Sequence, residues 1–207
     1  MTIALWIIFG LLAAVAITAI TVDSARALGV RRSNASRAAG PRPASQEPVE
    51  WERRRQKAVD DLKVLDTPTE DRFDRIVTMA RQLYGTESAV FSILDKEREW
   101  HKARSGDTIE ETDRTSSFCS VTIRGAEALV VGDARADERF RDLVAGEGGL
   151  RFYAGYPVKA PNGEQIGALC VYDPAPRNVA EVDDSMLRQL AHLLEAELRV
   201  PSSVARR

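Results

Sequence analysis

From residue 49 onward the apolar and polar positions follow two rhythms, one helical and one strand-like. Across Val49–Leu65, Trp51, Ala58, Leu62 and Leu65 share one side of a helical wheel, which predicts a first helix. Thr67-Pro68-Thr69-Glu70 then reads as a helix start, with Thr67 as N-cap, Pro68 in the first turn and Glu70 reaching back to the cap. The helix it opens would bury Phe73, Ile76, Val77, Ala80, Leu83 and Tyr84. Strand-like runs follow at Ala89–Leu94 and Glu99–Arg104, joined by a turn at Asp95-Lys96-Glu97-Arg98. Glu110–Thr115 is polar and loop-like, Ser116–Ile123 reads as a short helix, Leu129–Gly132 as a strand and Glu138–Leu143 as another short helix. The clearest signal is Leu150–Asp173, where two β-rich runs flank Pro161-Asn162-Gly163-Glu164. Asn and Gly tolerate the positive φ that a tight hairpin turn needs. Ile166–Tyr172 is apolar almost throughout and reads as a central strand covered on both faces. Val182–Leu198 closes the pattern, with Leu187, Leu190, Leu194 and Leu198 on one side and Met186 and Leu193 widening the stripe. Neighbouring strands joined by short turns predict an α+β fold, one antiparallel central sheet with the terminal helices packed on one face.

The N-terminal quarter breaks the rhythm. Thr2–Val22 contains no charged residue, and as a helix it would span roughly 32 Å, enough for a bilayer core. No Lys or Arg precedes it, while Arg26, Arg31 and Arg32 follow closely, which favours an anchor over a cleaved signal peptide. The expected organisation is a single transmembrane helix at residues 2–22, a flexible basic linker at 23–49, one domain at 50–200 and a disordered tail at 201–207. The positive charges place that domain on the cytoplasmic side. The chain has 29 basic and 31 acidic residues. The linker carries +3 and the remainder after it −5, a balance that argues against nucleic acid as partner. Two cysteines, Cys119 and Cys170, make no disulfide framework, and no Cys/His spacing resembles a zinc site.

An ordered series of short motifs resembles the GAF domain, a small-molecule-sensing module of bacterial signalling proteins. The series comprises Leu65-Asp66-Thr67-Pro68 with Phe73-Asp74, then Ser117-Phe118-Cys119. Val130-Val131-Gly132-Asp133-Ala134 follows, with Asp137, Arg139 and Phe140. Next come Arg151-Phe152-Tyr153-Ala154-Gly155-Tyr156-Pro157 and Gly163 through Ile166-Gly167-Ala168-Leu169-Cys170-Val171-Tyr172-Asp173, ending at Pro176-Arg177. The resemblance covers about Trp51–Leu198 and implies a GAF/PAS-like sheet. Its relatives often stand beside diguanylate cyclase or histidine kinase outputs. No such active-site run is present, and Ala145-Gly146-Glu147-Gly148-Gly149 lacks the Lys-Ser/Thr of a phosphate loop, so it reads as a mobile loop bordering the pocket. The resulting expectation is a membrane-anchored, non-catalytic sensor, not an enzyme. It would pass a helix shift to a homodimer partner, through the terminal helices, or to a separate effector protein.

By the same resemblance, Trp100, Phe118, Cys119, Asp133, Phe140, Arg151 and Tyr153 lie near a ligand pocket, aromatics giving contact area and polar groups fixing orientation. Each has a plainer reading. Arg151 can clamp an anion or form an ion pair, and Asp133 can meet a ligand, orient Arg139 or cap a turn. Cys119 can be a reactive thiol or a small buried hydrophobe, and Cys170 reads as buried. Asp133, Asp137 and Glu138 match no calcium-loop spacing, so no metal is expected. The cyclic-nucleotide and bilin signatures of the family are absent, and no cofactor is assigned. Two other functions stay open. One is a thiol enzyme resembling free methionine sulfoxide reductases, with Cys119 attacking and Cys170 resolving; the other is a ligand-free interaction scaffold.

Overall fold

A computed structural model describes residues 49–144 and 149–200. The anchor expected at 2–22, nearly all of the linker, the tail and most of the glycine-rich loop lie outside the described residues. Among those described, no helix is long and apolar enough to cross a membrane.

Six strands form one sheet: β1 Ser88–Asp95, β2 Arg98–Ser105, β3 Glu111–Asp113, β4 Leu129–Val131, β5 Phe152–Lys159 and β6 Gln165–Asp173. Their order is β3-β2-β1-β6-β5-β4, and every pairing is antiparallel. β6 lies between β1 and β5 with side chains buried on both faces, the physical reason its sequence is an apolar run. The hairpin turn closes through Gly163 N to Ala160 O, and Gly163 alone takes a positive φ, 89°, where Asn162 was expected to share it.

Four helices complete the fold: α1 Val49–Leu62, α2 Asp71–Tyr84, α3 Phe118–Thr122 and α4 Asp184–Leu198. Apolar residues of α2 and α4, with Ala58 and Val59 of α1, cover one face of the sheet. On the other face, α3, Ala134, Phe140 and Val144 enclose a second core with Val90, Leu94, Tyr153, Ala168 and Cys170. Trp51 packs against this second core, so α1 serves both layers rather than one.

Several local expectations are corrected. α2 starts three residues late, with Glu70 in the N-cap position and no side-chain cap. The reason is Lys102, buried on β2. Its ammonium is held by Thr67 Oγ1 at 2.7 Å, Pro68 O at 2.9 Å and Glu70 Oε1 at 2.9 Å, so these groups serve a buried charge instead of a cap. Glu111–Asp113 is an edge strand, not a loop. The stretch 138–143 holds turns running into a 3-10 turn at Arg141–Val144, not a helix. Leu83, Met186 and Leu193 are exposed and add nothing to the core.

The end of the sheet is tied by charge. Arg55 of α1 is fully buried and donates to Leu94 O and to both Glu52 oxygens, at 2.6 and 2.9 Å. Arg114 grips the same carboxylate bidentately at 2.6 and 2.9 Å and also donates to Lys96 O. One glutamate therefore joins the first helix, the β1–β2 turn and the approach to α3.

Candidate functional site

The second core is not completely filled. Between the sheet and the segment carrying α3 lies a cavity of about 530 Å³. Its lining includes Glu99 and His101 of β2, Phe118 and Cys119 of α3, Tyr153 of β5, and Cys170 and Tyr172 of β6. Asp107, Thr108 and Leu150 contribute from loops. Glu99 and Asp107 are acidic, and no Lys or Arg lines the cavity among the described residues.

The two thiols meet on this wall, Cys119 Sγ 2.9 Å from Cys170 Sγ, both buried and both free. Local structure explains the placement. Ser117 follows a 3-10 turn at Arg114–Ser116 and is the N-cap of α3, its hydroxyl accepting from Ser120 N at 3.1 Å. That cap fixes the first turn of α3 and lays Cys119 over β6, where the pleat turns Cys170 to the same face as Ala168. Phe118 is wedged in place by Phe140, stacked at 4.2 Å, and by Tyr153 at 5.0 Å. The Tyr153 hydroxyl reaches Cys170 Sγ at 3.2 Å, Cys119 Sγ at 3.5 Å and Thr122 Oγ1 at 2.7 Å.

A polar chain flanks the thiols. Glu99 is buried, accepts from Ser117 Oγ and lies 3.3 Å from His101 Nε2. His101 Nδ1 donates to Ile109 O at 2.7 Å. Burial alone would push the Glu99 carboxyl up, but hydrogen bonds from His101, Ser117 and Cys119 outweigh it and hold the group below its ordinary value. Burial, with Cys170 beside it, pushes the Cys119 thiol well up, and burial does the same to the Tyr153 hydroxyl. The resting site is therefore a neutral dithiol next to a carboxylate, and a nucleophile here needs a base to take its proton.

Of the residues expected near a pocket, Phe118, Cys119 and Tyr153 line this cavity, and Phe140 lies directly behind Phe118. The others stand elsewhere. Trp100 packs in the helix-covered core, on the opposite face, because a strand turns alternate residues to opposite sides. Asp133 and Arg151 pair with each other, Arg151 donating through Nε at 3.0 Å and through a second nitrogen. The ion pair and turn readings describe them; Asp133 also accepts from Arg135 N at 3.1 Å. Glu99 was not singled out, and His101, which reads as a structural residue of the second strand, joins it on the cavity wall. Their signal was the alternation around Trp100: if Trp100 points into one core, its two neighbours point toward the other.

The family model of the GAF domain matches residues 68–198. The chain belongs to the GAF domain family. It is 41% identical over 152 residues to a cyclic di-GMP phosphodiesterase of Pseudomonas aeruginosa, a match covering 72% of this chain and 26% of that protein. The chain thus spans about a quarter of the length of the curated relative it matches. Among solved structures, the free methionine-R-sulfoxide reductase of Neisseria meningitidis superposes with a TM-score of 0.54 at 15% identity, covering 74% of this chain and 89% of that one. The type II enzyme of Thermoplasma acidophilum gives 0.53 at 15% identity, covering 63% and 92%. The GAF domain of an Acinetobacter phosphoenolpyruvate-protein phosphotransferase gives 0.52 at 15% identity, covering 77% and 99%. At such identities these structures share the fold alone. The expectation of a non-catalytic sensor that is not an enzyme is corrected by the 41% identity to a protein named as a phosphodiesterase.

Proposed function

We propose that this GAF cavity is a dithiol active site that reduces a small sulfoxide. The observation that carries the reading is the 2.9 Å approach of Cys119 Sγ to Cys170 Sγ on the wall of a cavity large enough for a small molecule. Glu99, hydrogen-bonded to the Cys119 thiol, accepts its proton only as the Cys119 sulfur attacks the sulfoxide sulfur, and passes that proton on to the sulfoxide oxygen. The sulfoxide oxygen passes to Cys119 as a sulfenic acid and the sulfide leaves. Cys170 then attacks Cys119 Sγ, forming the disulfide and expelling the oxygen as water. In sum, two thiols and one sulfoxide give one disulfide, one sulfide and one water, and an external dithiol restores the thiols.

The 41% identity to a phosphodiesterase favours a second reading, in which the domain works within an enzyme acting on cyclic di-GMP. The cavity itself suits that ligand poorly, because a phosphodiester entering it would meet Glu99 and Asp107 without a Lys or Arg on the described lining. On this second reading the cyclic di-GMP chemistry takes place away from the dithiol.

The deciding assay incubates the full chain with free methionine sulfoxide and dithiothreitol and follows methionine by chromatography. Catalytic formation of methionine is expected. Release no faster than with dithiothreitol alone, together with hydrolysis of cyclic di-GMP, would replace the first reading by the second.

We further propose, from the uncharged run at residues 2–22 and the arginines after it, that the domain is held on the cytoplasmic side of a membrane. Fractionation of the full chain should place it in the membrane pellet, and deletion of residues 2–22 should release it; a full chain found wholly in the supernatant would refute this.

A further inference from the structure

Thr122 Oγ1 donates to the Phe118 carbonyl at 3.2 Å, which uses its single proton. With the Thr122 proton on that carbonyl, the 2.7 Å contact between Thr122 Oγ1 and the Tyr153 hydroxyl is one that Tyr153 donates. That uses the one proton of Tyr153, so toward the sulfurs its oxygen can only accept. The S–H of Cys170, at 3.2 Å, is the better placed donor, with Cys119 at 3.5 Å.

A second observation shows that this position is built. An alanine Cβ at residue 155 would lie 2.1 Å from the Tyr153 hydroxyl oxygen and 2.6 Å from the ring carbon that carries it. The hydroxyl can therefore reach the thiols only because residue 155 has no side chain.

We propose that Tyr153, seated over Gly155, is a positioning residue that holds the Cys119–Cys170 pair in its dithiol form by accepting a thiol hydrogen bond. This rests on the dithiol reading of the cavity. On oxidation the two thiols lose two protons and two electrons to an acceptor such as glutathione disulfide, which leaves as two glutathione thiols. The Tyr153 oxygen then has no S–H to accept from, and a buried acceptor loses its partner. The tyrosine thereby makes the disulfide a stronger oxidant, which favours its reduction by an external dithiol and completes the cycle.

The test equilibrates the full chain in glutathione redox buffers and reads the disulfide fraction by alkylation and mass spectrometry. Tyr153→Phe should shift the equilibrium constant toward disulfide by about tenfold, which is about 30 mV for a two-electron couple. Gly155→Ala should shift it the same way by displacing the hydroxyl. The two variants act through different atoms, so misfolding of one leaves the other to decide. An unchanged constant, a shift toward dithiol, or no disulfide in wild type and Tyr153→Phe alike would overturn the proposal. Because this readout needs no turnover, a chain that fails to reduce methionine sulfoxide yet shows the shift would refute only the reductase reading.

Discussion

Replacing Cys119 by serine is expected to abolish methionine sulfoxide reduction, a loss of about 10³-fold or more. The reason is chemical rather than structural. Sulfur is the atom that must attack, carry the oxygen and then be attacked, and a serine hydroxyl, less nucleophilic and unable to form a disulfide, does none of these. Cys170→Ser should behave differently. With Cys119 intact, the first step still runs, so about one methionine per domain should form before turnover stops with a sulfenic acid on Cys119. Single-turnover quantification by chromatography, with mass spectrometry of the protein, separates the two variants. Both side chains are buried, so circular dichroism should accompany the assay to show that each variant is folded. Turnover by Cys119→Ser within tenfold of wild type would remove the thiol pair from the mechanism.

Glu52→Ala is expected to cost about 3–5 kcal/mol of stability, roughly 6–20 °C in melting temperature, because it removes the carboxylate that two buried guanidiniums share. Arg55 is fully buried, so the loss of its anion cannot be made good by water. Acid should reveal the same interaction. Burial would raise the Glu52 carboxyl, but hydrogen bonds from Arg114 and Arg55 bring it from 4.5 down to about 2. A folded value below the unfolded one contributes stability above about pH 4.5, and that contribution fades as pH falls toward 2. Differential scanning calorimetry between pH 7 and pH 2 should show this acid loss in wild type and a flatter slope in Glu52→Ala. A variant within 1 kcal/mol of wild type at pH 7 would mean that the network adds little.

The thiol pair and the Glu52 network differ in how far they could be read in advance. The two cysteines stand 51 residues apart, and their pairing is implied only by the resemblance to free methionine sulfoxide reductases, not by chain position. Only the packing of α3 across β6 brings the sulfurs together. The Glu52 network likewise joins residues whose spacing along the chain, 3 and 62, follows no single periodicity. Lys102 shows most sharply what local order does not carry. A lysine in a strand pattern suggests a solvated face, but a register irregularity between Phe91 and Ser92 sets Phe91 opposite Ala103 and Ser92 opposite His101. That leaves Lys102 as the unmatched residue, turned toward Phe73 and Trp100. The same buried ammonium then drew Thr67, Pro68 and Glu70 away from the helix cap their order predicts.

The sequence by itself determined the elements that rest on local periodicity: three strands with near-correct limits, the two strands of the 150–173 hairpin, the terminal helices and the antiparallel α+β class. These follow from backbone preference and from which residues must leave water, both of which are written in neighbouring positions. Tertiary structure alone decided the chemistry. Which face Trp100, Glu99 and His101 occupy, that Asp133 and Arg151 satisfy each other, and that two distant thiols share one cavity wall all depend on contacts between segments remote in the chain. Burial and charge pairing act through space, and a single chain's order of residues does not encode those distances directly.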